Sequence, residues 1–187
     1  MAGRLDFDIE NPELGMHLLS IFWNRQVHFG LIVYQTAFMR DMACAGPYFS
    51  KLLLNAIFFS ASKNTLRTEV RRDPGNVRTA GYKYRQRFME LLGAEFDKSK
   101  ITTVQALIIV AGALFTWCDE RSTSFLYAGM SFNMIVDLGL HVWTSNPKEK
   151  GLSVEDLEVR RRLFWGAYGM LFSTFDSYLM FTKLFWH

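Results

Sequence analysis

Cysteine is scarce in this 187-residue chain: there are two, Cys44 and Cys118, with no histidine or cysteine near either at ligand spacing. That excludes a disulfide framework and a zinc site of the usual kind, and it suits a reducing compartment. Four prolines and no internal repeat leave long helices uninterrupted and argue against a solenoid. Charge of one sign is also lacking. The formal net charge of +3 is too small to imply nucleic-acid binding, and much of the basic excess is local, between Lys63 and Arg87. The N-terminus carries Asp6, Asp8 and Glu10 rather than a basic and then apolar leader, so it does not read as a secretory signal. No Gly-x-Ser-x-Gly elbow, phosphate-cradling glycine loop or histidine pair at helical spacing occurs, so no enzyme is visible.

What is present is apolar. Half of the residues are hydrophobic and 16% are aromatic, with 17 phenylalanines. This implies a large interior or surfaces that await a partner. The nine methionines fall among apolar residues and read as gap fillers. One helical domain is the expectation.

The first helix is expected behind Asn11, with Pro12 and Glu13 in its first turn and Leu14, Leu18, Ile21 and Phe22 on one face. Its end blurs at Val27, Phe29 and Gly30. A short second helix follows from Tyr34 to Met42, before Gly46 and Pro47 break the chain. Residues 48–61 are apolar nearly all round and predict a central helix. Residues 60–74 read as a polar, basic surface loop whose composition permits disorder.

A helix resumes over 77–96, with Tyr84, Phe88, Leu91 and Leu92 inside and Lys83, Arg85 and Arg87 outside. Ser99 is the expected N-cap of 101–118, about 18 residues without formal charge, at the lower edge of a membrane span. Thr102, Thr103, Gln105 and Thr116 within it, and the lack of charge asymmetry at its flanks, favour a buried core helix. Asp119 and Glu120 are adjacent, point apart, and have no third group to tune them as an acid and base pair.

The informative stretch is 125–165. Phe125, Phe132, Ile135 and Val136 recur at helical spacing, with Ala128, Gly129 and Ser131 as a small-residue patch, predicting a buried, tightly packed helix. Gly139 supplies the left-handed residue that ends it, and Leu140 the accompanying apolar contact. After the polar loop 145–150, Ser153 precedes Asp156 by three, a variant capping box, and Glu155, Asp156 and Glu158 load the first turn with favourable negative charge. Arg160, Arg161 and Arg162 follow, with local ion pairs to those acids expected first. Leu157, Phe164, Trp165 and Tyr168 are expected to face inward. Asn133 and Asp137 share a face, with His141 four residues on. They read as a capping cluster or as the polar floor of a small-molecule pocket between helices.

Asp137, Leu138, Gly139, Leu140 and His141, the polar loop, the acidic run, then Arg160, Arg161, Arg162, Leu163, Phe164 and Trp165, together resemble the fungal-specific transcription factor domain. This is the middle homology region of zinc-cluster regulators. Residues 101–109 and 50–57 extend the resemblance upstream. It implies an all-α, irregular multi-helix bundle forming a single regulatory domain over 1–168, partial at its C-terminal side. It also implies nuclear localisation and regulation of transcription through intramolecular or protein partners or a small metabolite. DNA and zinc binding are expected only through an N-terminal six-cysteine cluster that this chain does not contain, so no cofactor is expected here. His28 is the nearest match to a family turn and is given no chemical role.

The resemblance fails after Tyr168, where relatives proceed to a Gly-Arg-Pro turn. Residues 169–187 form a divergent apolar tail, including Phe172, Phe175, Phe181, Leu184, Phe185 and Trp186. One reading is a translated intron, since codons for Gly169, Met170 and Leu171 can spell a fungal splice donor. The other is an extension of the last helix. Rival readings of the whole are a membrane-associated helical protein and a small helical enzyme using Asp137 or His141.

Overall fold

A computed structural model describes Asp8 and residues 11–25, 32–142 and 151–185, without the side chains of Arg25 and of 171–185. The expectations for Val27, His28, Phe29, Gly30, the loop 145–150, Trp186 and the tail side chains fall outside the described residues. Among those described, seven α-helices and no strand are found: α1 (Pro12–Arg25), α2 (Gln35–Cys44), α3 (Lys51–Ser62), α4 (Tyr82–Gly93), α5 (Ile101–Ala113), α6 (Arg121–Asp137) and α7 (Val154–Phe185). The all-α multi-helix expectation holds.

The centre is α3 against α5, with α1 and α4 on α3 and with α6 and α7 on α5. Ser50 caps α3 by accepting from the Leu53 amide at 3.1 Å. From Leu52 to Ser62 every residue of α3 is buried. In α5 the same is true from Thr102 to Ala113. The apolar segment Ile101–Cys118 is thus an interior helix, 72% buried by protein. Its polar members are used inside only in part: the Gln105 amide nitrogen donates to the Ile32 carbonyl at 2.9 Å, whereas its buried Oε1 has no hydrogen-bond partner among the described residues.

Asn11 caps α1, its side-chain oxygen accepting from the amides of Glu13 and Leu14 at 3.0 and 3.3 Å. Leu14, Leu18, Ile21 and Phe22 are buried as their spacing requires. An edge-to-face aromatic series, Phe22 to Trp23 to Phe38 to Phe49, at centroid distances of 4.9, 5.8 and 5.6 Å, joins α1, α2 and the start of α3.

Four local expectations are corrected. Ser99 does not cap α5; Lys100 holds that position without a side-chain bond. The α5 helix also does not continue regularly to Cys118, because Leu114–Cys118 widens into a π-turn that ends at Asp119 with φ of 54°. The basic loop is ordered, with 3-10 turns at Thr68–Val70 and Val77–Thr79, a bridge between Arg71 and Ala80, and Val70 buried. Regular α4 therefore starts only at Tyr82, and Arg85 is not simply outside it: the guanidinium holds Glu120 by two contacts of 2.5 Å.

The inward faces of the last two helices also differ from expectation. In α6 the buried residues are Ser124, Ala128, Ser131, Met134 and Ile135, whereas Phe132 is 50% and Val136 47% exposed. The packing face is the small one. Ser124 donates to the Ala111 carbonyl at 2.7 Å, which a bulky residue at this close crossing would preclude. Gly129 lies open to solvent rather than in the patch. In α7, Val159, Leu163 and Ala167 are buried, while Trp165 and Tyr168 are 61% and 53% exposed. At Gly166 a Cβ would lie 2.3 Å from the Ile32 side chain, so the α7 backbone rests directly on Ile32.

Candidate functional site

The end of α6 and the start of α7 form a hairpin whose two termini are closed by local chemistry. Gly139 has φ of +63°, which an L side chain rarely adopts. Its amide donates to the Val136 carbonyl at 3.0 Å, and the Leu140 amide to the Ile135 carbonyl at 3.0 Å. Those two bonds are the Schellman arrangement, and Leu140 and Ile135 are both buried in the same core cluster. At the other terminus the Ser153 amide donates to Asp156 Oδ2 at 2.8 Å and the Asp156 amide to Ser153 Oγ at 3.0 Å, a reciprocal capping box.

The two halves are tied together by Arg160, which donates to the Leu138 carbonyl at 3.3 Å. This carbonyl belongs to the terminal turn of α6, where a cation is favoured. Arg161 and Arg162 both take Glu158, each at 2.6 Å, as local pairing predicts. Arg162 also lies over the Tyr34 ring, 4.8 Å from its centroid. The Arg162 guanidinium, followed by Arg161, holds the Glu158 carboxyl below its ordinary range.

Glu155 and Asp156 do not serve the arginines. Glu155 receives two bonds from Arg40 of α2, at 2.9 and 2.8 Å, and Asp156 accepts from the Tyr48 hydroxyl. The hydroxyl bond from Tyr48, then those from Ser153, lowers the Asp156 carboxyl below the usual aspartate range. Burial first, and the Asp156 carboxylate second, push the Tyr48 phenol upward. Arg40 meanwhile contacts buried Asp41, which also accepts from the Tyr48 amide at 2.8 Å. A polar latch thus joins the start of α7 to the α2–α3 corner. Sequence reading missed it because its members lie more than 100 positions apart.

Between these parts lies a groove of about 930 Å³. Leu140, Val142, Leu157, Phe164 and Trp165 supply apolar walls, and His141, Glu158, Arg160 and Arg161 a polar edge. Asn133 and Asp137 are exposed on α6 and do not line it. Of the family-like motif, Gly139, Leu140, His141, Arg160, Arg161, Phe164 and Trp165 converge on the groove. Leu163 turns into the core, and Leu138 supplies the carbonyl for Arg160. Among the described residues no group of three or more histidine, cysteine, aspartate or glutamate side chains is placed to hold a metal.

The fold and groove define an all-α domain whose motif-bearing hairpin frames a groove. Residues 19–170 match the fungal specific transcription factor domain, and the chain belongs to that family. It is 31% identical over 163 residues to the nitrogen assimilation transcription factor nirA of Emericella nidulans, covering 85% of this chain and 18% of that protein. It is 28% identical over 169 residues to nit-4 of Neurospora crassa, a nitrogen assimilation transcription factor, covering 85% and 15%. An uncharacterized transcriptional regulatory protein of Schizosaccharomyces pombe is 29% identical over 152 residues, covering 81% and 24%. The chain thus spans less than a quarter of the length of each of these relatives. No solved structure matches it.

Proposed function

We propose that this chain is the regulatory, middle homology part of a zinc-cluster transcription factor, a non-enzyme that works in the nucleus by restraining or releasing an activator. The observation that carries this reading is the family match over residues 19–170, with most of the motif residues gathered around one groove. Restraint is exerted through that groove, by intramolecular or protein contact or by a small metabolite between Phe164, Trp165 and the Arg160 and Arg161 edge.

Zinc and DNA binding belong to a cluster elsewhere in a full-length regulator. The cysteines present here do not fit such a cluster: they number two, and Cys44 is exposed on α2 while Cys118 closes the π-turn. The regulatory unit is assigned to 1–168 and the apolar tail to 169–187. The α7 backbone runs helically through that boundary to Phe185, which favours the tail as a continuation of the helix. Transcript reads crossing the codon for Tyr168 test the intron alternative, which requires a spliced species.

The function is tested by placing the chain between a heterologous DNA-binding segment and an activation segment and reading a reporter. Repression is expected, with relief by Trp165→Glu in a protein of unchanged thermal stability. A reporter indifferent to the inserted domain overturns the reading.

A further inference from the structure

A second groove, of about 650 Å³, lies on the other side of the α3–α5 core, between the end of α3, the ordered basic loop, the π-turn and the start of α6. Five cations line it, Lys63, Arg72, Arg78, Arg85 and Arg121, against two carboxylates, Asp119 and Glu120. Glu120 is taken by both guanidinium nitrogens of Arg85. Asp119 stands 3.5 Å from Arg121. The groove therefore carries a positive excess of three.

Arg72 and Arg78 are exposed, but the loop that carries them is tied into a defined frame. The Arg71 to Ala80 bridge and the 2.8 Å bond from the Gly81 amide to the Val70 carbonyl close the loop. At Gly81, with φ of +80°, a Cβ would lie 3.0 Å from Phe59, so the loop is pressed onto α3. Lys63 Nζ donates to the Ala80 and Arg78 carbonyls at 2.7 and 3.3 Å and sits over the Phe59 ring at 4.8 Å.

Two of these cations carry an electrostatic cost despite the partners they have. Burial first, with the nearby Arg85 adding to it and Cys118 and Glu120 opposing it, pulls the Lys63 ammonium below the ordinary lysine range. Arg121 occupies the first turn of α6, where the helix dipole disfavours a cation. An anion in the groove relieves both at once. The π-turn that widens one wall is a distortion frequent at functional sites.

We propose that this groove binds a small multivalent oxyanion carrying phosphate or paired carboxylate groups. Its volume suits a metabolite-sized ligand. Guanidinium and ammonium donors around it match the bidentate and point-charge modes by which such groups are held. The site is separate from the hairpin groove, and its binding is measured independently of any effect on transcription.

The test is calorimetric titration of the 187-residue chain with pyrophosphate and with citrate at matched ionic strength, and separately with a 20-base-pair duplex. Saturable one-site binding of one small anion is expected, and the anion that binds distinguishes the phosphate from the carboxylate source. Lys63→Met and Arg121→Gln should each weaken it by about tenfold or more, whereas Lys98→Gln, an equal charge loss at an exposed site away from the groove, should leave it unchanged. Arg121→Gln keeps the test valid if Lys63→Met misfolds. The proposal is overturned by no saturable binding of either anion, by an equal loss in Lys98→Gln, or by duplex binding that neither anion displaces.

Discussion

The α3–α5 pair and the α6–α7 hairpin are built on opposite plans. In the first, apolar residues cover the helices all round, and polar ones such as Asn55 and Ser62 bond back to helix carbonyls. In the second, small residues face inward and several large ones remain outside: Phe132, Val136, Trp165 and Tyr168 are each about half exposed or more. The first region is held by volume. The second is held by caps, close backbone approach and the latch through Arg40, Tyr48, Glu155 and Asp156. A stable platform and an open, chemically fastened arm are what a domain needs if one part is to keep the fold while another meets partners.

The sharpest way to break this contrast is to truncate in the platform. Phe58→Ala, at a fully buried site in α3, should cost about 3–5 kcal/mol in urea denaturation. Gly166→Ala comes next. Its methyl meets Ile32 within 2.3 Å, and a loss of about 1–3 kcal/mol is expected, with Ile32→Ala restoring part of it in the double variant. Gly139→Ala should cost about 1–2 kcal/mol through the left-handed backbone alone, since no atom lies within 4 Å of the added Cβ. At the small end, Trp165→Ala should change stability by no more than about 0.5 kcal/mol while altering the groove.

The latch predicts a pH dependence. Asp156 and Glu158 have folded-state pKa values below their ordinary ones, so the unfolded chain binds more protons and stability rises with pH through that window. Their contribution is complete above the ordinary carboxylate range and is lost as pH falls through the lowered values. Tyr48→Phe removes the hydroxyl bond that does most to lower the Asp156 carboxyl. The acid loss of stability, followed by urea midpoints between about pH 6 and 2, should become shallower in that variant. An identical slope counts against the latch.

Local chemistry was legible in the sequence and long-range chemistry was not. Gly139, Leu140, Ser153 and Asp156 act within five residues of their partners, so spacing alone announces the caps. The apolar character of residues 48–61 and 101–118 likewise sufficed to place the platform, though not its helix ends. The inward faces of α6 and α7 were legible in part: the small-residue patch at Ala128 and Ser131 packs as its composition predicts, whereas Phe132, Val136, Trp165 and Tyr168 turn outward despite their size. Helices crossing closely instead bury Ser124, Ala128 and Ser131, and Gly166 against Ile32. Among candidate site residues, Arg160, Phe164 and Trp165 do reach the groove, whereas Asn133 and Asp137 do not. Periodicity places a residue on a face of its own helix and is silent on which face the neighbour occupies.

The contact at Gly166 has a mechanical meaning. Before that point α7 is fastened by the latch, the arginine pairs and the buried Val159 and Leu163; beyond it the helical backbone continues to Phe185. At 1.5 Å per residue the distal part is about 28 Å long, so a tilt of about 5° at the Ile32 fulcrum carries its far end through roughly 2.5 Å. Gly166 and the buried Ala167 beside it divide α7 into a shorter fastened arm and a longer distal one, so a small shift at Ile32 becomes a larger one at the far end.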